Sequence, residues 1–199
     1  MHETPASAPL SAHQKALVVL LEAHEPADDV EEVFRQKILR HVRAHERWWH
    51  RDTVPGHVTA SAFIVDASLS RMLLHHHRKL DRWLQLGGHD DGERSPVAAV
   101  AREVAEESGL ASFRFYDGPK ILDLDIHAIP ARGSMPAHDH LDVRFLLVAD
   151  PELPLRRDAE ESLALAWFPL VEAIEKMGES GARRVEGKIR ALQGEIASR

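Results

Sequence analysis

The chain has 199 residues, a formal net charge of -7, 44% hydrophobic residues and no cysteine. That length fits one domain with an extension at one end, and the hydrophobic share is enough for a core. The acidic balance argues against a nucleic-acid polymer as the main partner, since gripping a phosphate backbone needs basic surface, and the lack of cysteine excludes disulfides, thiolate zinc sites and a cysteine nucleophile.

A small anionic substrate stays compatible with the charge, because a bound cation can reverse the local sign. No apolar run approaches a membrane span, and the N-terminus lacks a basic-then-apolar signal pattern. The expectation is a cytoplasmic protein with no membrane partner.

Residues 1–9 read as a loose tail. Leu17, Leu20 and Leu21 give Leu10 to Ala23 a helical spacing. A second helix is expected from about Asp28 to His50, with Asp28 and Asp29 at its N-terminus and Val30, Phe34, Ile38 and Val42 as its stripe. Pro55-Gly56 closes the helical region. Strands are expected at His57–Val65, Arg71–His77 and Arg82–Leu86, the last running into a Gly87-Gly88 turn. A helix covers Ser95 to Ser108. Strands follow near Phe113–Tyr116, Ile121–Ile129 and Asp142–Val148, with a loop at 130–140. Ala164–Phe168 is a last strand, leading into a helix at 170–177. A break at Gly178 to Gly181 precedes a polar terminal helix. Mixed strands and helices without repeats suggest α/β layers around a mixed β-sheet.

The segment GGHDDGERSPVAAVAREVAEESGL, residues 87–110, is the informative one. Ser95 suits an N-cap, Pro96 the first helical position and Gly109 a left-handed stop. Val97, Val100, Ala101 and Val104 form a buried stripe. Glu103, Glu106 and Glu107 share another face, where each like-charged pair costs ~0.2–0.5 kcal/mol on an open helix. They also occupy the end that the helix dipole makes unfavourable for anions. A solvated acidic face is one account of them. A bound divalent cation is the other, and oxygen-only ligands favour Mg²⁺, Mn²⁺ or Ca²⁺ over zinc.

The segment resembles the Nudix box, G-x5-E-x7-R-E-U-x-E-E-x-G-U, in which U is a bulky aliphatic residue. Gly88 matches the first glycine, and Arg102, Glu103, Val104, Glu106, Glu107, Gly109 and Leu110 match the second half. The early glutamate position holds Arg94, with Glu93 and Asp91 beside it as substitutes. The flanking GHVTASAFIVD and AWFPL extend the resemblance over roughly residues 55–177. It implies the Nudix fold, an α/β/α sandwich around a mixed sheet, with residues 1–52 as tail and helical extension, 53–177 as the Nudix domain and 178–199 as a C-terminal helix.

The resemblance further implies a Mg²⁺-dependent hydrolase of a small-molecule diphosphate linkage, with Mn²⁺ as an alternative cation. Glu103, Glu106 and Glu107 would be metal ligands, and the Gly87-Gly88 turn would let the loop backbone approach the metal. Arg102 would orient a glutamate. Glu161, beside Glu160 and just before AWFP, is a candidate base. In such a site the cation neutralises phosphate oxygens and lowers the pKa of water, and a carboxylate takes its proton. The rival readings are a non-catalytic ligand sensor on the same fold and an isopentenyl diphosphate isomerase-like enzyme. The latter uses a catalytic cysteine, which this chain lacks.

His138, His140 and Asp142 alternate, so an extended segment puts them on one face, and His127 could meet them across a hairpin. They form either a second metal or phosphate-contact site or a half-exposed strand face. His75-His76-His77 with Arg78 and Lys79 reads as a solvated basic tip. Trp48 and Trp49 read as packing the N-terminal helices onto the domain, helices placed either to cover the substrate pocket or to form a homodimer surface.

Overall fold

The computed structural model describes residues 9–133 and 135–198, so most of the expected N-terminal tail lies outside the described residues. Two helices come first, α1 (Ala12–Ala23) and α2 (Asp29–Ala44). The strands are β1 (Gly56–Val65), β2 (Arg71–His77), β3 (Arg82–Leu84), β4 (Leu86–His89), β5 (Arg114–Phe115), β6 (Ile121–Ile129), β7 (His138–Val148) and β8 (Ser162–Pro169). Helix α3 (Pro96–Ser108) follows β4, and α4 (Leu170–Met177) and α5 (Ser180–Ala197) follow β8.

The sheet is mixed. Its centre is a parallel ladder in which Gly56–Val65 of β1 face Asp139–Val148 of β7. The other pairings are antiparallel. Because β7 occupies one edge of β1 along its whole length, β2 and β4 share the other, β2 at Ile64 and Val65 and β4 at Thr59 to Ala62. The sheet therefore splits beside β1, and β4 carries the chain from this split into α3.

Alternation along the central strands builds two apolar layers. Val58, Ala60, Ala62 and Ile64 of β1 and Leu141, Val143, Phe145 and Leu147 of β7 join the core with residues of α1, α2 and α3. Phe63, Val65, Leu146 and Val148 face the other way, into a core with α4 and α5. The result is the expected α/β/α sandwich. At its other end that second face turns polar, with His57, Thr59 and Ser61 on β1 and His138, His140, Asp142 and Arg144 on β7.

Several elements differ from the sequence expectation. Helix α2 stops at Ala44, well short of His50. Trp48 is fully buried, and its carbonyl accepts hydrogen bonds from Val58 N–H (2.9 Å) and the His41 ring (3.3 Å), which holds the non-helical segment after α2 against β1. Gly87 and Gly88 lie in strand β4 against Ser61 and Ala60, where a turn was expected. Strand β7 begins at His138, inside the expected loop, because β1 and β6 both pair with its first residues. The triple histidine lies in β2 as expected, but it is not a solvated tip throughout: His75 is buried, and His76 stacks on Trp83 at 5.1 Å.

Polar links tie the helices together. Glu31 of α2 is fully buried and accepts from Lys188 Nζ (2.6 Å), the His24 ring (2.7 Å), Ala27 N–H (2.7 Å) and Leu124 N–H (3.1 Å). Burial alone would push its carboxyl up, but the hydrogen bonds of His24, Lys188 and Ala27 outweigh that and bring it down to about 2. Asp123 is equally buried and joins Arg184 (2.7 Å), Lys188 (2.9 Å) and Arg144 (3.4 Å).

A carboxyl depressed on folding stabilises the protein above its unfolded pKa, and that contribution disappears as pH falls through the folded value. Glu31→Ala is expected to cost about 3–5 kcal/mol at neutral pH, because it strands buried donors and the Lys188 charge. Urea unfolding of wild type and variant should show this gap closing as pH drops from ~4.5 toward ~2; a gap independent of pH would refute the role.

Candidate functional site

Helix α3 has the caps its sequence announces. Ser95 accepts from Ala98 N–H (3.3 Å), Pro96 opens the helix, and Gly109 closes it at φ 65°. Its valine stripe meets the sheet, and its acidic face meets β4. Glu103 and Glu107 are buried, whereas Glu106 is exposed.

The loop before α3 is organised by Asp90. Its carboxylate accepts from Arg94 N–H (2.6 Å) and Ser95 N–H (2.8 Å). This holds Arg94 at φ 56°, in the left-handed region uncommon for a bulky residue. The Arg94 side chain lies over the Trp49 ring, with its guanidinium carbon 5.1 Å from the centroid. Arg51 reaches Asp91 at 3.1 Å. The residue that departs from the box pattern thus packs against the segment following α2.

Glu93 takes the contact toward the helix, 2.6 Å from Arg102 Nε. Arg102 also contacts Glu106 (2.8 Å) and Glu103 (3.2 Å) and donates to the His89 carbonyl (2.8 Å). It is a brace between loop and helix, engaged with glutamates on every side.

Among the described residues Glu107 has no arginine or lysine partner. It accepts from Gly87 N–H at 2.9 Å, and the Glu161 carboxylate lies near enough to act on it electrostatically. Burial pushes its carboxyl up, the Gly87 hydrogen bond pulls back, and Glu103 and Glu161 push further, to about 9. Glu103 is also raised, by burial first, with Arg102 opposing and Glu161 and Glu106 adding. Glu103, Glu107 and Glu161 therefore form one carboxylate group with more negative charge than Arg102 neutralises. Glu106 points its carboxylate at Arg102.

One neighbour of this group was not anticipated. His75 was read as part of a solvated tip, yet it sits 3.9 Å from Glu107 Oε1 and bonds Ser162 Oγ at 2.8 Å. Burial brings it down to about 4, with His77 and His76 adding, so it stands neutral behind the glutamate. The period-two alternation of β2 could have placed it inward. Gly88 is fitted to Glu103: an added Cβ would lie 2.5 Å from Glu103 Oε1.

Asp142 and His127 do not join the site suggested by their spacing. Asp142 accepts from Ser61 Oγ (2.7 Å), Thr59 Oγ1 (3.2 Å) and Arg144 Nε (2.9 Å). His127 bonds Arg144 Nη2 at 2.8 Å. Both serve the fully buried Arg144, which Asp123 and Asp125 also neutralise.

The sequence profile of the NUDIX domain matches residues 55–186, and the chain belongs to that family. Solved structures agree. A NUDIX-family hydrolase from Clostridium perfringens is 27% identical, with TM-score 0.50 over 68% of this chain and 97% of that one. An Ap4A hydrolase from C. elegans (16% identity, TM-score 0.53, 69% and 97% covered) shares the fold. So does the E. coli dihydroneopterin triphosphate pyrophosphohydrolase (17%, 0.50, 64% and 90%). Among curated proteins no significant match was found. Among the described residues, no helix is long and apolar enough to cross a membrane.

The glycines separate two effects. Gly88→Ala displaces the end of Glu103 and is expected to weaken Mn²⁺ binding at least ~10-fold with the far-UV dichroism unchanged. Gly87→Ala meets the Ala60 backbone and places a Cβ at φ 147°, so its effect is expected on stability, at least about 1–3 kcal/mol. Metal titration and thermal melts of the two variants distinguish these outcomes.

Proposed function

We propose that the chain is a divalent-cation-dependent hydrolase that cleaves a diphosphate linkage in a small molecule, with a nucleoside diphosphate derivative as the substrate class. The observation that carries this reading is the pair of buried carboxyls Glu103 and Glu107, with the exposed Glu161 beside them and Arg102 as the neighbouring cation. Such a group fits a hard cation with oxygen ligands, Mg²⁺ first and Mn²⁺ as an alternative. Gly88, which leaves Glu103 its space, fits the same purpose.

When bound, the cation would neutralise phosphate oxygens and make water more acidic. Glu103, Glu107 and Glu106 would hold the cation, Glu106 from its present place beside Arg102. Arg102 is a positioning residue. It fixes Glu103 through its guanidinium and the β4–α3 loop through Glu93 and the His89 carbonyl. Glu161, exposed in the turn just before β8 and near Glu107, would accept the proton of attacking water and pass it to solvent. His75, neutral and tied to Ser162, limits the movement of Glu107.

The departure at Arg94 does not favour the sensor reading. Glu93 supplies the acidic partner of Arg102, so the box retains its brace one residue earlier. A cysteine-dependent isomerisation is unsupported in a chain without cysteine.

The test is turnover of nucleoside triphosphates, nucleotide sugars, ADP-ribose and dinucleotides with Mg²⁺ or Mn²⁺, with products identified by mass. Cleavage at a diphosphate is expected to need the cation and to vanish in Glu107→Gln. Glu161→Gln should lower kcat by ~10²–10⁴-fold with little change in KM, as removal of a general base does. Binding of one compound without turnover would replace the enzyme by the sensor. Glu93→Gln should reduce activity more than Arg94→Ala does; the reverse order would show that Arg94, and not Glu93, acts for the box.

A further inference from the structure

We infer that His57, His138 and His140, with His89 at their edge, form a binding site for a transition-metal cation of the zinc class, separate from the carboxylate site. The parallel ladder sets His57 of β1 directly opposite His140 of β7, and His138 lies two residues back on the same face. On the other side of His57, β4 brings His89 next to it through the Thr59–His89 pair. Ring centroids of His57 lie 5.1 Å from His138, 4.8 Å from His140 and 5.0 Å from His89.

The donor atoms of His57, His138 and His140 all lie within 4.8 Å of one another. His138 Nε2 and His140 Nε2 are 3.3 Å apart. Two nitrogens each about 2.05 Å from a tetrahedral ion stand ~3.3 Å apart. A hydrogen bond between the two rings would also account for that spacing, but it does nothing for His57. The His57 side chain is fully buried, and neither of its ring nitrogens has a hydrogen-bond partner among the described residues. Leaving a buried polar group unmet costs about 1–3 kcal/mol, and a shared cation meets it.

The tautomer of His138 points the same way. Its Nδ1 is 2.9 Å from the Pro136 carbonyl, which can only accept, so Nδ1 carries the proton and Nε2 offers its lone pair. A ligating imidazole whose other nitrogen is held by a carbonyl is the usual support for a bound metal. Burial, aided by the neighbouring His140, His89 and His138, brings His57 down to about 3, which keeps the ring in its ligating neutral form. Three imidazoles without a carboxylate select zinc, copper, nickel or cobalt over magnesium and leave a position open for water or substrate. Backbone pairing of three strands holds the donors in place.

The test uses the full, tag-free chain stripped by chelator and titrated with Co²⁺. A single equivalent is expected to produce strong visible bands of a nitrogen-coordinated ion of low coordination number. Zn²⁺ should bleach them and excess Mg²⁺ should not. Glu107→Gln and the double variant His76→Ala/His77→Ala keep the signal. Loss of a supporting group alone weakens a site about 10–100-fold, so His138→Ala or His140→Ala should weaken binding by more than ~100-fold. A readout without variants is diethylpyrocarbonate labelling read by mass spectrometry, in which Zn²⁺ protects His138 and His140 but not His76 and His77. Absence of stoichiometric binding overturns the inference. So do survival of the signal in the His138→Ala/His140→Ala double variant, its loss in either control, and equal labelling with and without Zn²⁺.

Discussion

The parallel pairing of β1 with β7 is the constraint on which the rest depends. One register aligns Gly56–Val65 with Asp139–Val148, and a slip of a single residue would exchange the faces of either strand. On one face the ladder is apolar from Val58 and Leu141 onward and receives α1, α2 and α3. On the other it is apolar only toward its C-terminal end, where α4 and α5 lie. The remaining half holds imidazoles, hydroxyls and the buried ion group around Arg144. Placing charge there is tolerable because each member has partners: Arg144 meets Asp123, Asp125 and Asp142. Broken by one substitution, such a group would leave an uncompensated charge in the interior.

The carboxylate site uses the same split in the sheet. With β2 turned away from the start of β1, β4 pairs there and brings Gly87 and Gly88 under the last turns of α3. An isolated helix would resist Glu103, Glu106 and Glu107 at that end. In the fold, Arg102 answers part of the repulsion, the Gly87 N–H answers part, and a raised Glu107 carboxyl avoids the rest.

Much of this was legible in the sequence. Ser95, Pro96 and Gly109 fixed the ends of α3 because capping is local chemistry. The box spacing singled out Glu103, Glu106 and Glu107, of which the fold buries Glu103 and Glu107 and leaves Glu106 exposed, and the place of Glu161 before AWFP was visible too. The alternation of His138, His140 and Asp142 showed a shared face, but not that Arg144 continues it and takes Asp142 and His127 for itself. His57 lay hidden because its meaning comes from a partner strand far along the chain. The same holds for Gly87-Gly88, which reads as a turn until Ala60 and Ser61 pair with it. Helix α2 was overextended because its apolar stripe runs on toward Trp48, while the demand of Val58 N–H for the Trp48 carbonyl is a tertiary fact.

The segment that follows α2 is bound to the box loop through Arg94 over Trp49 and Arg51 at Asp91. Leu17, Leu21, Ile38, Leu39, Val42 and Trp48 share a core with the sheet, and Glu31 clasps Lys188 of α5. The stretch recognised as the family domain begins only at residue 55. The boundary drawn by kinship is therefore not the boundary of cooperativity. Helices that precede the family domain in sequence share its core, so they are expected to melt with it as one unit, and a change deep in α2 should be felt at the loop before α3.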